Sequence, residues 1–211
     1  MKTTNIILLC LALSTTSLAQ EKTSSSRTKL QIGIKGGVNY SNVYDAKDET
    51  FKTDPKFGLA LGVFAAIPIG KYIGVQPEVM FAQRGFKATG VLLGSSYALT
   101  RTSSYIDVPL LLAIKPIDNL TLLIGPQYSF LLKQKDELAF SETSVEQEET
   151  FANDNIRKNT LCVTGGLDLN LSRFVISARA GWDVQNNNGD GTSTTPRYKN
   201  SWYQLTLGIR F

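Results

Sequence analysis

The chain has 211 residues, a net charge of +4 at neutral pH, 17 glycines, two cysteines and no histidine. That length suits one domain, and the small, dispersed charge offers no basic stripe for nucleic acid. The absent histidine removes the usual base of an activated serine or cysteine, so no catalytic residue, metal ligand or cofactor is assigned.

In chain order, residues 1–19 read as an export signal. Lys2 supplies the positive start, Ile6 to Leu13 the short apolar core, and Ser17-Leu18-Ala19 a small-x-small site with cleavage expected after Ala19. The apolar run is too short for a membrane-spanning helix. Cys10 lies inside that run, away from the cleavage point and without the small residues that precede a lipidated cysteine. Cys162 then remains alone in the mature chain, which excludes an intramolecular disulfide. Residues 20–29 are polar and serine-rich and read as a flexible lead-in, leaving 30–211 as one domain.

From Leu30 onward, apolar and polar or small residues alternate in eight successive runs, the period of a strand with two unlike faces. The first run carries Leu30, Ile32, Ile34, Val38 and Tyr40 on its apolar face, and the second carries Phe57, Leu59, Leu61, Val63 and Ile67. The third sets Ile73, Val75, Pro77, Val79 and Phe81 against Gln76, Glu78, Met80 and Arg84. The fourth sets Ile106, Val108, Leu110, Leu112 and Ile114 against Tyr105, Asp107 and Pro109. Leu120 to Phe130, Leu161 to Leu169 and Phe174 to Val184 make the next three. The last, Trp202 to Phe211, places Tyr203, Leu205, Leu207, Ile209 and Phe211 on one face and ends on an aromatic residue.

Connection lengths alternate as well. Short links follow the second, fourth and sixth runs, and longer polar ones are expected at about 41–56, 87–104, 133–160 and 185–201. The pattern predicts an all-β fold: an eight-stranded antiparallel up-and-down transmembrane β-barrel following a cleaved signal peptide, with both termini periplasmic and the long loops outside. Hydrocarbon offers backbone groups no partners, so strands can span it only in a closed sheet. Aromatics fall near the strand ends, with Tyr40, Phe57, Tyr128, Phe130, Trp182 and Tyr203 toward one rim and Tyr72, Phe174 and Phe211 toward the other. Pro77, Pro109 and Pro126 lie inside strands and each removes a ladder donor, so bulges or open pairing are expected there.

The inward charges are Lys35, Glu78, Arg84, Asp107, Asp168, Arg179, Asp183 and Arg210. Eight strands enclose only enough room for side chains, so these charges are expected to form a paired network, with Arg179 and Glu78 the deepest. The segment from Asp136 to Asp154 is acidic and could bind an envelope protein partner or bridging divalent cations; the plainer reading is a solvated loop. Asn186 to Gly191 looks like part of a calcium loop, but Arg197 stands where the twelfth-position glutamate is needed, so it is read as a turn-rich tip.

The closing run resembles the final strand of bacterial outer-membrane barrels, whose terminal Phe with preceding alternate apolar residues is read by the barrel-assembly machinery. More widely, the chain resembles the small outer-membrane β-barrel domain of Bacteroidetes, the group including PorT-like proteins. That resemblance rests on Gly36-Gly37-Val38-Asn39, Val75-Gln76-Pro77-Glu78 with Gln83-Arg84-Gly85, Tyr105-Ile106-Asp107-Val108-Pro109-Leu110-Leu111, Gly125-Pro126-Gln127-Tyr128, and Gln204 to Phe211. It implies a non-enzymatic outer-membrane protein, in contact with outer membrane lipid and the assembly machinery, with a structural or interaction role. Some relatives are linked to type IX secretion. Two other readings compete: an exported barrel binding a small lipid ligand, which would need an apolar interior, and a narrow channel, which would need interior charge of one sign.

Overall fold

The computed structural model describes residues 29–44, 52–92, 95–140, 143–149, 158–186 and 198–211. The export signal, nearly all of the lead-in and most of the calcium-like segment lie outside the described residues. Among the described residues nine strands form one antiparallel sheet: β1 (Gln31–Tyr44), β2 (Lys52–Pro68), β3 (Ile73–Leu92), β4 (Ser95–Ile117), β5 (Leu120–Phe140), β6 (Thr143–Glu149), β7 (Asn159–Leu171), β8 (Phe174–Asp183) and β9 (Lys199–Arg210). Eight of them close a ring, β1-β2-β3-β4-β5-β7-β8-β9 and back to β1. The short β6 pairs with β5 outside that ring. Closure is completed at the chain ends, where Gly33 pairs with Arg210 and the Phe211 amide donates to the Ile32 carbonyl at 2.7 Å.

The ring is inverted relative to a water-soluble barrel. Ile34, Leu61, Val79, Leu110, Ile124, Leu205 and Leu207 are exposed on the outside, while Gln76, Glu78, Asp107, Thr164, Asp168 and Thr206 are buried inside. The strict alternation leaves no other choice, because successive side chains of a strand point to opposite faces. Apolar side chains outward and paired backbone all round are what hydrocarbon demands. Phe57, Tyr40 and Tyr203 stand side by side in consecutive ladders, with the Tyr40 and Phe57 rings 4.9 Å apart. Tyr128 and Phe130 make a similar contact, also at 4.9 Å. Tyr72, Phe174 and Phe211 are exposed toward the opposite end.

At the end carrying the chain termini the connections are tight. Ile69 and Gly70 donate to the Ile73 carbonyl, and β7 turns into β8 through Ser172 and Arg173, with Ser172 at a positive φ of 56°. A two-residue hairpin turn of this hand matches the twist of its strands. The far end differs from the expectation of long loops. β3 and β4 continue to the pair Leu92↔Ser95, and β5 and β6 to Phe140↔Thr143, so much of 87–104 and 133–149 is paired strand. Lys, Thr, Ser and Glu dominate these extensions, and a polar strand carries no hydrophobic period by which to read it. The wall is therefore tall on the β3–β6 side and ends at Asp183 on β8.

The interior prolines bring open pairing, as expected, and not bulges. Pro77↔Leu110, Pro109↔Gln127 and Pro126↔Val163 pair on one side, while the ladder on the other side is interrupted at each proline, between Phe64↔Glu78 and Ile67↔Val75, between Pro77↔Leu110 and Met80↔Asp107, and between Pro109↔Gln127 and Leu112↔Ile124; the register shifts fall elsewhere, between Pro55 and Ala60, Ser104 and Tyr105, and Ile114 and Ile117. A missing donor costs one rung, which a ring fixed by its neighbours can absorb without slipping.

Candidate functional site: the charged barrel interior

The lumen holds two tiers of charge. In the tier nearer the chain termini, Lys35 of β1 donates to Glu78 of β3 at 2.5 Å. Arg179 of β8 meets Asp168 of β7 at 2.7 Å and Glu78 at 3.5 Å. Gln76 joins the carboxylates, donating to Glu78 at 2.9 Å and Asp168 at 3.1 Å. Two cations thus face two carboxylates, and each charge has an opposite partner, which burial in a low-dielectric interior requires. Phe64 packs beside this tier with its ring 5.7 Å from the Lys35 ammonium, in space left by Gly33, where a Cβ would lie 2.4 Å from the ring.

The second tier is built on Arg84 of β3. It pairs with Asp107 of β4, lies 3.6 Å from the centre of a Trp202 ring and 4.9 Å from that of Tyr105, and donates to the Ser129 hydroxyl at 3.4 Å. Asp183 is held by neutral donors: the Asn200 amide at 3.0 Å, its side-chain nitrogen at 2.6 Å, and the Cys162 thiol at 3.1 Å. Cys162 is fully buried. Arg84 is the deepest of the charged set at 1% exposure, against 4% for Glu78 and 6% for Arg179. This corrects the expectation that the latter two lie deepest, and the reason is Trp202, whose indole covers the guanidinium. Arg210 stands apart at the rim, bonded to the Ser172 carbonyl, Gln31 and Asn170 at 2.8, 3.0 and 2.9 Å.

Packing fills what remains. Leu111, Ala113 and Leu123 form a buried apolar cluster. A cavity of about 20 Å³ opens among Gln31, Lys115, Asp168 and Arg210, and one of about 10 Å³ lies between the tiers, beside Glu78, Asp107, Arg179 and Trp202. Each has room for about one water.

The far mouth carries a feature that hydrophobic periodicity missed. Val43, Phe86, Ala88 and Tyr198 form a buried cluster with Leu99 packed against it. Above it Arg101 grips Asp136 with two bonds, at 2.8 and 2.5 Å, and donates to the Tyr198 hydroxyl at 3.0 Å. Burial opposes the charge on Arg101, but the Tyr198 hydroxyl and the Asp136 carboxylate outweigh it and hold its pKa above the ordinary value. Trp202 was legible only through parity: it shares the inward face with Gln204 and Thr206. Of the acidic segment, Asp136 and Glu137 are among the described side chains.

A closed antiparallel ring, apolar outside and charged inside, with aromatics at both rims, defines a transmembrane β-barrel. The family model for the outer membrane protein beta-barrel domain matches residues 18–187. The chain belongs to that family and is an outer-membrane protein. Among solved structures it is similar to Ail, the attachment invasion locus protein of Yersinia pestis, at 18% identity and a TM-score of 0.48, covering 87% of this chain and 100% of that one. It is also similar to Neisserial surface protein A, at 9% identity and a TM-score of 0.45, over 86% and 97% of the two chains. OprG of Pseudomonas aeruginosa matches at 13% identity and a TM-score of 0.42, over 88% and 97%. No curated protein matches the chain.

Proposed function

We propose that this barrel is a non-enzymatic structural or interaction protein, acting through the tall hairpins at its far end. In this reading the signal is cleaved after Ala19, the termini and tight turns are periplasmic, and the β3–β6 extensions project outside the cell. The observation that carries it is the combination of a lumen filled by paired charges with a wall that, among the described residues, stands tallest on the β3–β6 side. A barrel whose interior is occupied by its own side chains has its working surface on its loops and hairpins. Tyr203, Leu205, Leu207, Ile209 and Phe211, all exposed along β9 and the terminus, are the proposed signal for the assembly machinery. An envelope protein partner engaging the segment 133–160, and an association with type IX secretion, belong to the same proposal.

The lipid-binding and channel readings are less well supported. The buried set is polar where a lipid pocket needs apolar lining, and both signs of charge meet in the lumen. Fractionation with gel mobility of boiled and unboiled protein tests the barrel: an outer-membrane band that shifts on boiling is expected, and a soluble, unshifted protein would overturn the reading. Planar-bilayer recording of the same preparation is expected to show no steady conductance. Removal of residues 136–154 should abolish cross-linking to a partner protein, and unchanged cross-links would remove that segment's role.

A further inference from the structure

A groove crosses the outer face of the barrel at the seam where β1 and β9 close the ring. It measures about 540 Å³ and is walled by Gly36 of β1, Leu61 and Val63 of β2, Leu207 and Ile209 of β9, and Phe174 of β8. Ile32, Ile34, Val38 and Tyr40 stand large and exposed along the same face of β1, so Gly36 leaves a notch in an otherwise filled row. Leu61 and Leu207 flank that notch in the ladders on either side.

The backbone does not require glycine at 36. A Cβ at Gly37 would lie 2.0 Å from the Leu205 carbonyl oxygen, so close approach of the next strand dictates glycine there. A Cβ at Gly36 would crowd only the tip of the Leu61 side chain, at 2.8 Å, and the nearest backbone atom is 3.9 Å away. Glycine weakens a strand interior and marks places where a ligand comes close. Chemistry then decides the occupant. The lining side chains are apolar, so a polar solute finds no donor or acceptor among them, and the face around the groove is the one that meets hydrocarbon. A second copy of the chain would meet it in a two-fold contact, groove against groove, and leave the hollow unfilled. A flexible acyl chain can follow such a channel, held by dispersion contacts. The groove also has a charged end. Phe174 pairs with Ile209 at the rim carrying the chain termini, about 7 Å along the strand from Gly36, and exposed Arg173 comes next at the turn. Arg210 is committed to Ser172, Gln31 and Asn170, which leaves Arg173 to meet a phosphate.

We propose that the groove over Gly36 seats one acyl chain of a phospholipid from the leaflet on the side of the chain termini, with the lipid phosphate at Arg173. This rests on the membrane placement above and adds a lipid site to it. The test uses the full barrel in phosphatidylcholine vesicles doped with phosphatidylglycerol that carries a photoreactive diazirine midway along one acyl chain, the cross-links being mapped by mass spectrometry. Labelling of residues 61–63 and 207–209 is expected to exceed that of residues 110–112 and 122–124 on the opposite wall by about fivefold, the factor given by about 1 kcal/mol of packing. In G36L, which fills the notch, it should fall to the level of the opposite wall. R173Q, at an exposed turn, should lower it by about twofold or more, whereas a diazirine diacylglycerol, lacking the phosphate, should label the parent and R173Q alike. Equal labelling of the two walls, or undiminished labelling in G36L, would overturn the proposal. So would cross-links between two barrels through Leu207, and unchanged phosphatidylglycerol labelling in R173Q would overturn the placement of the phosphate. Loss of selective labelling with the heat-induced gel shift retained refutes this inference alone, whereas loss of the shift refutes the barrel reading beneath it.

Discussion

Replacing Arg84 by Met probes the inner tier where burial is greatest. The guanidinium is 1% exposed, pairs with Asp107, and stacks on Trp202 at 3.6 Å. Removing it strands the Asp107 carboxylate, and breaking a buried pair in this way costs about 3–5 kcal/mol. Loss of a desolvated cation–π contact adds about 2 kcal/mol. With a urea slope of about 2 kcal/mol/M, the unfolding midpoint of R84M in vesicles should fall by roughly 3 M, followed by Trp fluorescence and by gel mobility of unboiled samples. The double variant R84M/D107L removes both charges and should recover to within about 1–2 kcal/mol of the parent, because a pair exchanged for apolar groups of similar size is often nearly neutral. Asp183 keeps its Asn200 and Cys162 donors in either background. If R84M unfolds at the parent midpoint, or if the double variant loses the sum of the two singles, the pair does not hold the lumen as argued.

Other positions test the packing and the membrane face. A Cβ at Gly181 would lie 2.3 Å from the Trp202 ring, so G181A should cost about 1–3 kcal/mol and disturb the near-UV circular dichroism; combining it with W202L should restore most of the G181A loss relative to W202L alone. On the outer face, Leu205 lies midway along β9, and L205R should cost about 2–4 kcal/mol in vesicle refolding, whereas L171R at the turn should cost about 0–1 kcal/mol. Equal costs would contradict the placement of the hydrocarbon band. Cys162 is fully buried, so in a C10S background a maleimide should label it only after urea unfolding, read by mass shift; fast labelling of the folded barrel would show an open lumen.

Much of this architecture is written in parity. Tyr203 and Leu205 face lipid, and Trp202, Gln204 and Thr206 face the lumen, because a strand's side chains alternate whatever the rest of the chain does. The tight links at 68–73 and 172–173 and the apolar runs between them suffice to order the eight strands around a ring, since each strand can pair only with neighbours reached by a short turn or a longer hairpin. Only the closed structure decides which inward charges meet. Lys35 finds Glu78 across the lumen, from β1 to β3 with β2 between them, because strand tilt and shear set the height of each side chain and no local sequence encodes them. The choice of Arg84 as the deepest charge follows equally from Trp202, far along the chain, closing over it. The raised hairpins were beyond periodicity for another reason: β3 to β6 there are held by backbone ladders and by the contacts of Phe86, Tyr198, Arg101 and Asp136, and a polar strand becomes visible only when its partners are in place.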